Sequence, residues 1–322
     1  LTPGLPGFDD PLCTLYRTAI PQAGQAVGSG IGAFGFLYNA LFSPVRFAFC
    51  GVDGANCLGQ ASLVWQETQL AAELHYDRSA ACGFTTFIGY EWTGNPNTAN
   101  LHRNVLFRNA AVPALPTSYL EQTTPQGLWA ALESDCALGT PDCDYLAIPH
   151  NSNVSSGLMF VPENADGSPL TAADAAFRAR VEPLVEITQH KGDSECRTGV
   201  LTNDELCGFE KWSSAALGTQ LSVFDPRNFV RNVLKEGLLE DEALGENPFR
   251  LGVIGATDSH NATPGLTHER DYASSGHLGT RDDTAGDQLE TLAQGITGGA
   301  DANPGGLAVV WAEENSRDAI FE

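Results

Sequence analysis

The sequence predicts a single-domain α/β protein, and three features favour that class. Short apolar runs suited to strands alternate with longer stretches suited to helices, which predicts a mostly parallel sheet. The composition, with 42% hydrophobic and 18% charged residues, is that of a globular protein. No convincing linker, repeat or low-complexity tract divides the 322 residues, so one domain is a simpler interpretation than two.

The predicted elements begin after an irregular N-terminal stretch. Residues 1–60 are rich in Gly and Pro and show neither the helical nor the strand period. Ala61–Tyr76 is predicted to form an amphipathic helix, because apolar residues are spaced among Gln, Glu and Ala. The apolar residues of this helix are Leu63, Val64, Leu70 and Leu74.

Strands and helices then take turns to the end of the chain. The predicted strands are Phe84–Trp92, His102–Phe107, Tyr145–Pro149, Leu184–Thr188, Leu251–Ala256 and Leu307–Trp311. The predicted helices are Pro125–Ser134, Thr171–Arg180, Asn228–Leu244 and Gly286–Ile296, followed by first turns at Ser316–Glu322. The first residue is Leu rather than Met, and the sequence stops within the first turns of a predicted helix, so we expect the natural protein to extend beyond both ends of this sequence.

The charge balance excludes one class of partner. With 17 Lys and Arg against 40 Asp and Glu, the formal net charge is −23, which repels polyanions and argues against nucleic-acid binding. No run reaches the roughly 20 apolar residues that a membrane helix needs. A strongly acidic surface is otherwise typical of a protein kept in solution by its charge.

Six of the eight cysteines form local pairs. These pairs are Cys50 with Cys57, Cys136 with Cys143, and Cys196 with Cys207, which leaves Cys13 and Cys82. None has C-x-x-C spacing, and each pair brackets a loop containing Gly or Asp, so we predict disulfides. Disulfides indicate a periplasmic or secreted protein, whereas reduced cysteines in a cytosolic protein are the alternative.

The residues with catalytic potential follow apolar runs. Four strand-like runs end in groups that bind metals or move protons, and a fifth run opens with one. These groups are Glu91, His102, His150, His190, Asp258 and His260. Because the carboxyl ends of barrel strands meet at one face, we expect these side chains to converge on one cleft.

The Asp258-x-His260 spacing is the sharpest local signal. Alternate residues of an extended segment lie on the same side, so this carboxylate and imidazole can bind one cation or two adjacent ones. The same spacing also occurs by chance in surface loops. Together with Glu91, His102 and His150 it predicts a site for Zn, Mn or Fe, because Ca prefers all-oxygen ligand sets.

Neighbouring residues are weaker candidates for catalysis. His190 is either a ligand or substrate contact, or a structural residue. Lys191, Arg197 and Arg103 are placed to receive an anionic substrate, or else are ordinary surface charges. Glu186 either hydrogen-bonds a ligand histidine or forms a buried structural pair. No G-x-S-x-G elbow and no phosphate-binding loop are present, so serine nucleophile and nucleotide-binding interpretations have no support.

The sequence resembles a bacterial branch of the PHP superfamily, named after polymerase and histidinol phosphatase. This branch is domain-of-unknown-function family 3604. The matching words run in order from about Trp65 to the last residue. They are Phe84–Thr93, Asn100–Arg108, Leu146–Asn151, Glu186–Glu195, Asn247–Phe249, Gly255–His260 and Ala308–Arg317.

The resemblance implies a distorted (β/α)7 barrel over residues 61–322, incomplete at both ends, with residues 1–60 packed on it. It also implies a centre of two or three metals in which Glu91 bridges ions, His102 and His150 each hold one, and Asp258 with His260 completes the cluster. The family's His-x-His and Asp-His pairs are not found before Glu91. We therefore expect this polypeptide to hold only part of the metal cluster.

The expected activity is hydrolysis of a small anionic ester, most simply a phosphoester, by a hydroxide that bridges the metals. His190, Lys191 or Arg103 would neutralise the leaving group. Hydrolysis of sulfate esters or lactones at the same metals is an alternative that the sequence does not separate. A secreted, non-catalytic binding or structural module on the same barrel is the other alternative, favoured by the absent His-x-His pair and the eight cysteines.

Overall fold

A computed structural model describes residues 3–4, 8–9, 11, 14, 44–209, 211, 224–258, 265 and 305–322 of the chain. Within these residues the protein is a mixed α/β structure with two small sheets, neither of which closes into a barrel. The predicted α/β class is therefore confirmed. The helix predicted at Gly286–Ile296, and the residues Cys13 and His260, lie outside the described residues.

The described helices and strands follow each other in a mixed order. The helices are α1 (Ala55–His75), α2 (Pro125–Leu132), α3 (Ala172–Val181), α4 (Val230–Leu244) and α5 (Arg317–Phe321). The strands are β1 (Ile88–Trp92), β2 (Arg103–Phe107), β3 (Tyr145–Pro149), β4 (Leu184–Gln189), β5 (Gly192–Asp193) and β6 (Gly252–Gly255). Most bounds differ from the predicted ones by a few residues, and α1 begins six residues earlier than expected.

Local signals explain where several helices begin and end. Before α3, the Thr171 side chain accepts a bond from the Asp174 backbone N–H, and Asp174 accepts one from the Thr171 backbone N–H, which completes a capping box. Thr124 caps α2, and Pro125 occupies its first position. Helix α4 ends where Gly245 adopts a φ of 77°, a left-handed conformation that glycine adopts without strain.

The first sheet separates an apolar face from a polar one. Strands β1, β2 and β3 pair in that order and antiparallel, with Trp92 opposite Arg103 and Arg103 opposite Pro149. Paired residues project to the same face, and neighbours along a strand project to opposite faces. The face that carries Trp92 packs into the core. Its members include Ile88, Val105, Phe107, Tyr145 and Ala147, which meet Trp65 of α1 and Trp129 of α2.

The second sheet contains a parallel pair. Strand β4 pairs in parallel with β6 and antiparallel with the short β5. A mostly parallel sheet was expected, and this was wrong for the described residues, because β1–β2, β2–β3 and β4–β5 are all antiparallel. Parallel strands need a crossover of about a dozen residues or more. Only residues 93–102, without an α-helix, join β1 to β2, so these strands form a hairpin.

Helix α1 is present, but it packs through a different stripe from the predicted one. Its buried residues are Trp65 and Ala72, seven positions apart, and the Trp65 indole N–H donates to the Pro113 carbonyl at 2.9 Å. Leu70 and Leu74 of the expected apolar face are 67% and 74% exposed. The helix therefore contacts the core along a narrow stripe that the spacing of its leucines does not reveal.

Leu307–Trp311, predicted as a strand, has no regular secondary structure. The Gly306 N–H donates to the Ala256 carbonyl at 2.7 Å, but residues 307–311 pair with no strand of the described chain. Trp311 is 96% exposed. Apolar composition alone therefore predicted a strand here without a neighbouring strand to supply its hydrogen bonds.

The three predicted disulfides are confirmed. Cys50 pairs with Cys57, Cys136 with Cys143 and Cys196 with Cys207, with Cα–Cα distances of 4.9, 5.1 and 5.2 Å. Cys82 is a free thiol. Three disulfides are consistent with a periplasmic or extracellular location. In the described part of the chain, every helix is too short or too polar to cross a bilayer.

Candidate metal centre

The register of the first sheet brings Glu91, His102 and His150 together. Glu91 lies in β1 opposite Asn104 of β2, on the face turned away from the tryptophan core. Asn104 pairs with Ile148 of β3, so Ile148 lies on the same polar face. His102 stands two residues before Asn104 and His150 two residues after Ile148, and residues two apart in an extended chain project to the same side. The His150 N–H donates to the His102 carbonyl at 3.3 Å, which extends the pairing of these strands by one step.

One carboxylate oxygen faces both imidazole rings. Glu91 Oε1 lies 2.6 Å from His102 Nδ1 and 3.2 Å from His150 Nε2. The two rings are nearly perpendicular, at 86°, with centroids 5.5 Å apart. Donor atoms of all three residues lie within 4.8 Å of one another, which makes them a group able to hold a metal ion. Two nitrogens and a carboxylate suit Zn, Mn or Fe.

The hydrogen bonds of His102 fit such an ion. His102 Nε2 lies 2.9 Å from the Asn95 side-chain oxygen, and Nδ1 of the same ring faces Glu91 Oε1. When Nε2 donates its proton to Asn95, Nδ1 of the neutral ring is the atom available to a cation. A metal-bound histidine whose other N–H donates to a carbonyl oxygen is the usual arrangement in metal sites.

Burial and charge act in opposite directions on these groups. Burial would raise the pKa of Glu91, but hydrogen bonds from His102 and His150 outweigh it and hold the pKa well below its usual range. Burial lowers the pKa of His102, which favours the neutral ring that binds metals. For His150, burial is outweighed by Glu91, Glu186 and Asp258, whose negative charges raise its pKa.

A second polar cluster adjoins the three ligands. It comprises Asp258, His190, Lys191, Gln189 and Asn151, and we call it the Asp258 cluster. Asp258 Oδ2 lies 3.3 Å from His190 Nε2 and accepts hydrogen bonds from the Lys191 ammonium and, at 2.8 Å, from the Gln189 amide. Strand β3 contacts β4, so residues after β3 meet residues after β4.

The backbone of the Asp258 cluster includes two unusual conformations. Asn151 has a φ of 56° and Asp258 a φ of 52°, both in the left-handed region. Asn and Asp tolerate this region better than most residues, and such conformations concentrate at functional sites. The side-chain oxygen of Asn151 accepts hydrogen bonds from the Lys191 ammonium and the Gln189 amide.

Glu186 is a buried acid between the two clusters. Its side chain is 2% exposed, and its Oε1 has no hydrogen-bond partner among the described residues. Burial raises its pKa to about 7, and the negative charges of Asp258 and Glu91 add to that shift while His150 and Lys191 oppose it. The carboxyl group is therefore close enough to both clusters to respond to their charges.

Arg103 and Arg197 do not join these clusters. Arg103 lies in β2 on the core face of the sheet, fully buried, where its Nε donates to Glu182 at 2.9 Å. The guanidinium also donates to the carbonyls of Leu101 and Met159. Arg197 stacks on Phe224 at 3.9 Å. The interpretation of Arg103 as a leaving-group contact therefore has no geometric support, because it lies on the opposite face from Glu91.

Three amides of the site were not singled out from the sequence. Asn95 contacts His102, whereas Asn151 and Gln189 contact Lys191 and each other. Asn151 and Gln189 directly precede or follow a predicted site residue in the sequence, which was the available signal. Asn95 stands in a Pro- and Asn-containing loop that predicts only a turn.

The comparisons with known proteins give one match. A sequence family described as "Protein of unknown function (DUF3604)" matches residues 37–322. No curated protein and no solved structure matches the chain.

Proposed function

This chain belongs to the DUF3604 family, and we propose that it is a metal-dependent hydrolase of small anionic esters, with phosphoesters as the first substrate class. The observation that carries the proposal is the contact of Glu91 Oε1 with two imidazole nitrogens, at 2.6 and 3.2 Å. A structural ion pair would need only one such partner. Three convergent donors with buried surroundings are what a divalent cation requires.

A bound cation would supply the electrophile, because it would lower the pKa of a water ligand to about 7 and polarise the ester oxygen. Glu91, His102 and His150 would hold it, and Asn95 fixes the ring of His102. Its charge would also offset the acidic surface locally, so the net charge of −23 does not exclude an anionic substrate.

His190 and Lys191 are the residues that we assign to the substrate. Lys191 pairs its ammonium with Asp258 and lies near enough to His102 for its charge to lower the pKa of that ring, so it can neutralise charge on an ester oxygen bound there. His190 lies 6% exposed with Nε2 facing Asp258, an arrangement that holds a proton for the departing oxygen. Both residues follow β4, so a substrate bound at the metal ligands would meet them together.

The finer assignments follow from the resemblance to the PHP superfamily. We propose that the two sheets are parts of a distorted (β/α)7 barrel, that Zn, Mn or Fe is the metal, and that the protein is periplasmic or secreted. The parallel β4–β6 pair and the position of site residues after β3, β4 and β6 support the barrel. The three disulfides support the compartment.

The proposal is tested by metal content and turnover measured on the same preparation. The protein is stripped with a chelator, reloaded with Mn, Zn or Fe, and assayed on p-nitrophenyl phosphate, bis(p-nitrophenyl) phosphate, p-nitrophenyl sulfate and a lactone. We expect stoichiometric metal and metal-dependent phosphoester hydrolysis. Glu91→Gln and His150→Gln should weaken metal binding at least about tenfold and abolish that turnover.

His75→Gln is the matched control for the histidine variant. His75 is exposed at the end of α1, so its replacement should leave metal content and turnover unchanged. Unchanged turnover in Glu91→Gln would refute the proposed mechanism. A folded protein that binds no stoichiometric metal would instead support a non-catalytic binding or structural module.

A further inference from the structure

A buried charged cluster lies on the core face of the first sheet, behind the candidate metal centre. It comprises Arg103, Arg178, Glu182 and Trp129, and we call it the Glu182 cluster; its members are at most 4% exposed. Arg103 Nε donates to Glu182 Oε1 at 2.9 Å, and the Trp129 indole N–H donates to the same oxygen at 3.0 Å. Arg178 Nε lies 3.6 Å from the other carboxylate oxygen. The cluster therefore joins β2 to helices α2 and α3.

The two arginines of the Glu182 cluster also hold backbone carbonyls. Arg103 donates to the carbonyl of Leu101 and, at 3.4 Å, to that of Met159. Arg178 donates to the carbonyl of Met159 at 2.8 Å and to that of Val161 at 2.9 Å. These three carbonyls lie outside the helices and strands, so side-chain donors fix segments that no helix or sheet ladder holds there.

The same segments carry the two imidazole ligands. Leu101 directly precedes His102, and the segment with the other two carbonyls begins after β3 at His150. Backbone hydrogen bonds tie the segments to each other, because the Asn100 N–H donates to the Val154 carbonyl at 3.1 Å and the His150 N–H to the His102 carbonyl at 3.3 Å. A displacement of either segment would therefore move both rings.

We infer that the Glu182 cluster positions the metal ligands, with Arg103 as the positioning residue: it fixes the backbone of both segments so that His102 and His150 keep their ring nitrogens opposite Glu91. This inference rests on the proposed function. Arg103 acts from the core face through the backbone, whereas the sequence had indicated a contact with the leaving group. Ligand atoms of a working site must be held to within about 0.5 Å, which a buried, multiply bonded arginine can enforce.

The inference is tested with Co²⁺ alone, without reference to activity. The metal-free full chain is titrated calorimetrically, and the absorption spectrum of bound Co²⁺ reports the geometry of its ligands. Arg103→Lys keeps the charge but loses the planar fork that reaches Glu182 and two carbonyls together. We expect it to weaken Co²⁺ binding at least about tenfold and to change the spectrum.

Arg317→Lys is the matched control. Arg317 is 3% exposed and donates to the Thr86 and Ala72 carbonyls and to the Glu73 carboxylate, so its bonding resembles that of Arg103. These partners lie in α1 and just before β1, away from both histidine segments. The control should lower the free energy of unfolding, measured with urea, yet leave the affinity and spectrum of Co²⁺ unchanged.

Glu182→Gln is a second, independent variant. It keeps the shape of the acceptor but removes the charge that orients Arg103, so it should change the Co²⁺ spectrum in the same way. Circular dichroism establishes that each variant is folded, and Glu182→Gln decides the question if Arg103→Lys is unfolded.

The outcomes separate this inference from the proposed function. Unchanged Co²⁺ affinity and spectrum in folded Arg103→Lys or Glu182→Gln would overturn the positioning role and leave hydrolysis at Glu91 intact. Equal changes in Arg317→Lys would do the same, because they would reflect a general loss of stability. No stoichiometric Co²⁺ in wild type would instead refute the proposed function itself.

Discussion

Glu186 shows how a single residue links the centre to the stability of the metal-free protein. Its carboxyl group is buried, its Oε1 accepts no hydrogen bond from the described part of the chain, and burial raises its pKa to about 7 from an ordinary value of 4.5. In the unfolded chain the group ionises near 4.5, whereas in the folded protein it stays protonated until about pH 7. The stability present at low pH is therefore lost as pH rises through this interval.

Glu186→Gln should remove this loss, because the amide does not ionise. The quantity to compare is the free energy of unfolding of the metal-free variant minus that of metal-free wild type. This difference should be roughly 3 kcal/mol larger at pH 8 than at pH 4. Urea titrations at both pH values, with a chelator present, measure the difference. The exposed residue Glu67 provides the control Glu67→Gln, and an equal pH dependence in both variants would contradict the effect of burial.

Single residues of the site were predictable when they stood at the end of an apolar run. Glu91 and His150 stood out in this way, and the structure brings them together with His102. Arg103 shows the limit of sequence proximity. It directly follows His102, but alternation along β2 turns it to the core face, where it binds Glu182. The amides Asn95 and Gln189 belong to no spacing pattern, since their role depends on contacts across the fold.

Among the secondary-structure elements, helix α1 tests which side chains attach it to the core. Trp65 is 3% exposed and lies against the rings of Tyr90 and Phe107, with centroid distances of 5.9 and 6.0 Å. Leu70, on the face that its spacing predicted to be buried, is 67% exposed. The helix should therefore depend on Trp65 far more than on Leu70.

Trp65→Ala is expected to cost about 3–5 kcal/mol of unfolding free energy, because it leaves a cavity and removes the hydrogen bond to Pro113. Leu70→Ala, the matched control on the same helix, should change it by less than about 0.5 kcal/mol. Chemical denaturation with disulfides intact measures both. Equal losses would mean that the leucine face, rather than the tryptophan stripe, attaches the helix.

The type of an element was easier to predict than its pairing. Strands β2, β3 and β4 and helices α2, α3 and α4 lie close to their predicted bounds, because apolar period and capping residues are local properties. Strand direction depends on where the chain returns. The short connection between β1 and β2 permits only a hairpin, and Leu307–Trp311 has the composition of a strand without a partner in the described chain.

For the molecule as a whole, the α/β class and the three disulfides were predictable from the sequence, whereas the arrangement of the strands into two separate sheets was not. Three cysteine pairs closed as predicted because each joins residues only seven or eleven positions apart. Closure of a sheet depends on many distant pairings at once, and the described strands form two separate sheets. The centre lies where β3 of one sheet contacts β4 of the other, so both sheets contribute to it.

The most direct test of the account is to locate the ion by anomalous X-ray diffraction. Crystals of the chain soaked in Mn²⁺ or Zn²⁺ should show an anomalous peak about 2 Å from Glu91, His102 and His150. A peak at another position, or none at full soaking with the three side chains ordered, would contradict the metal centre.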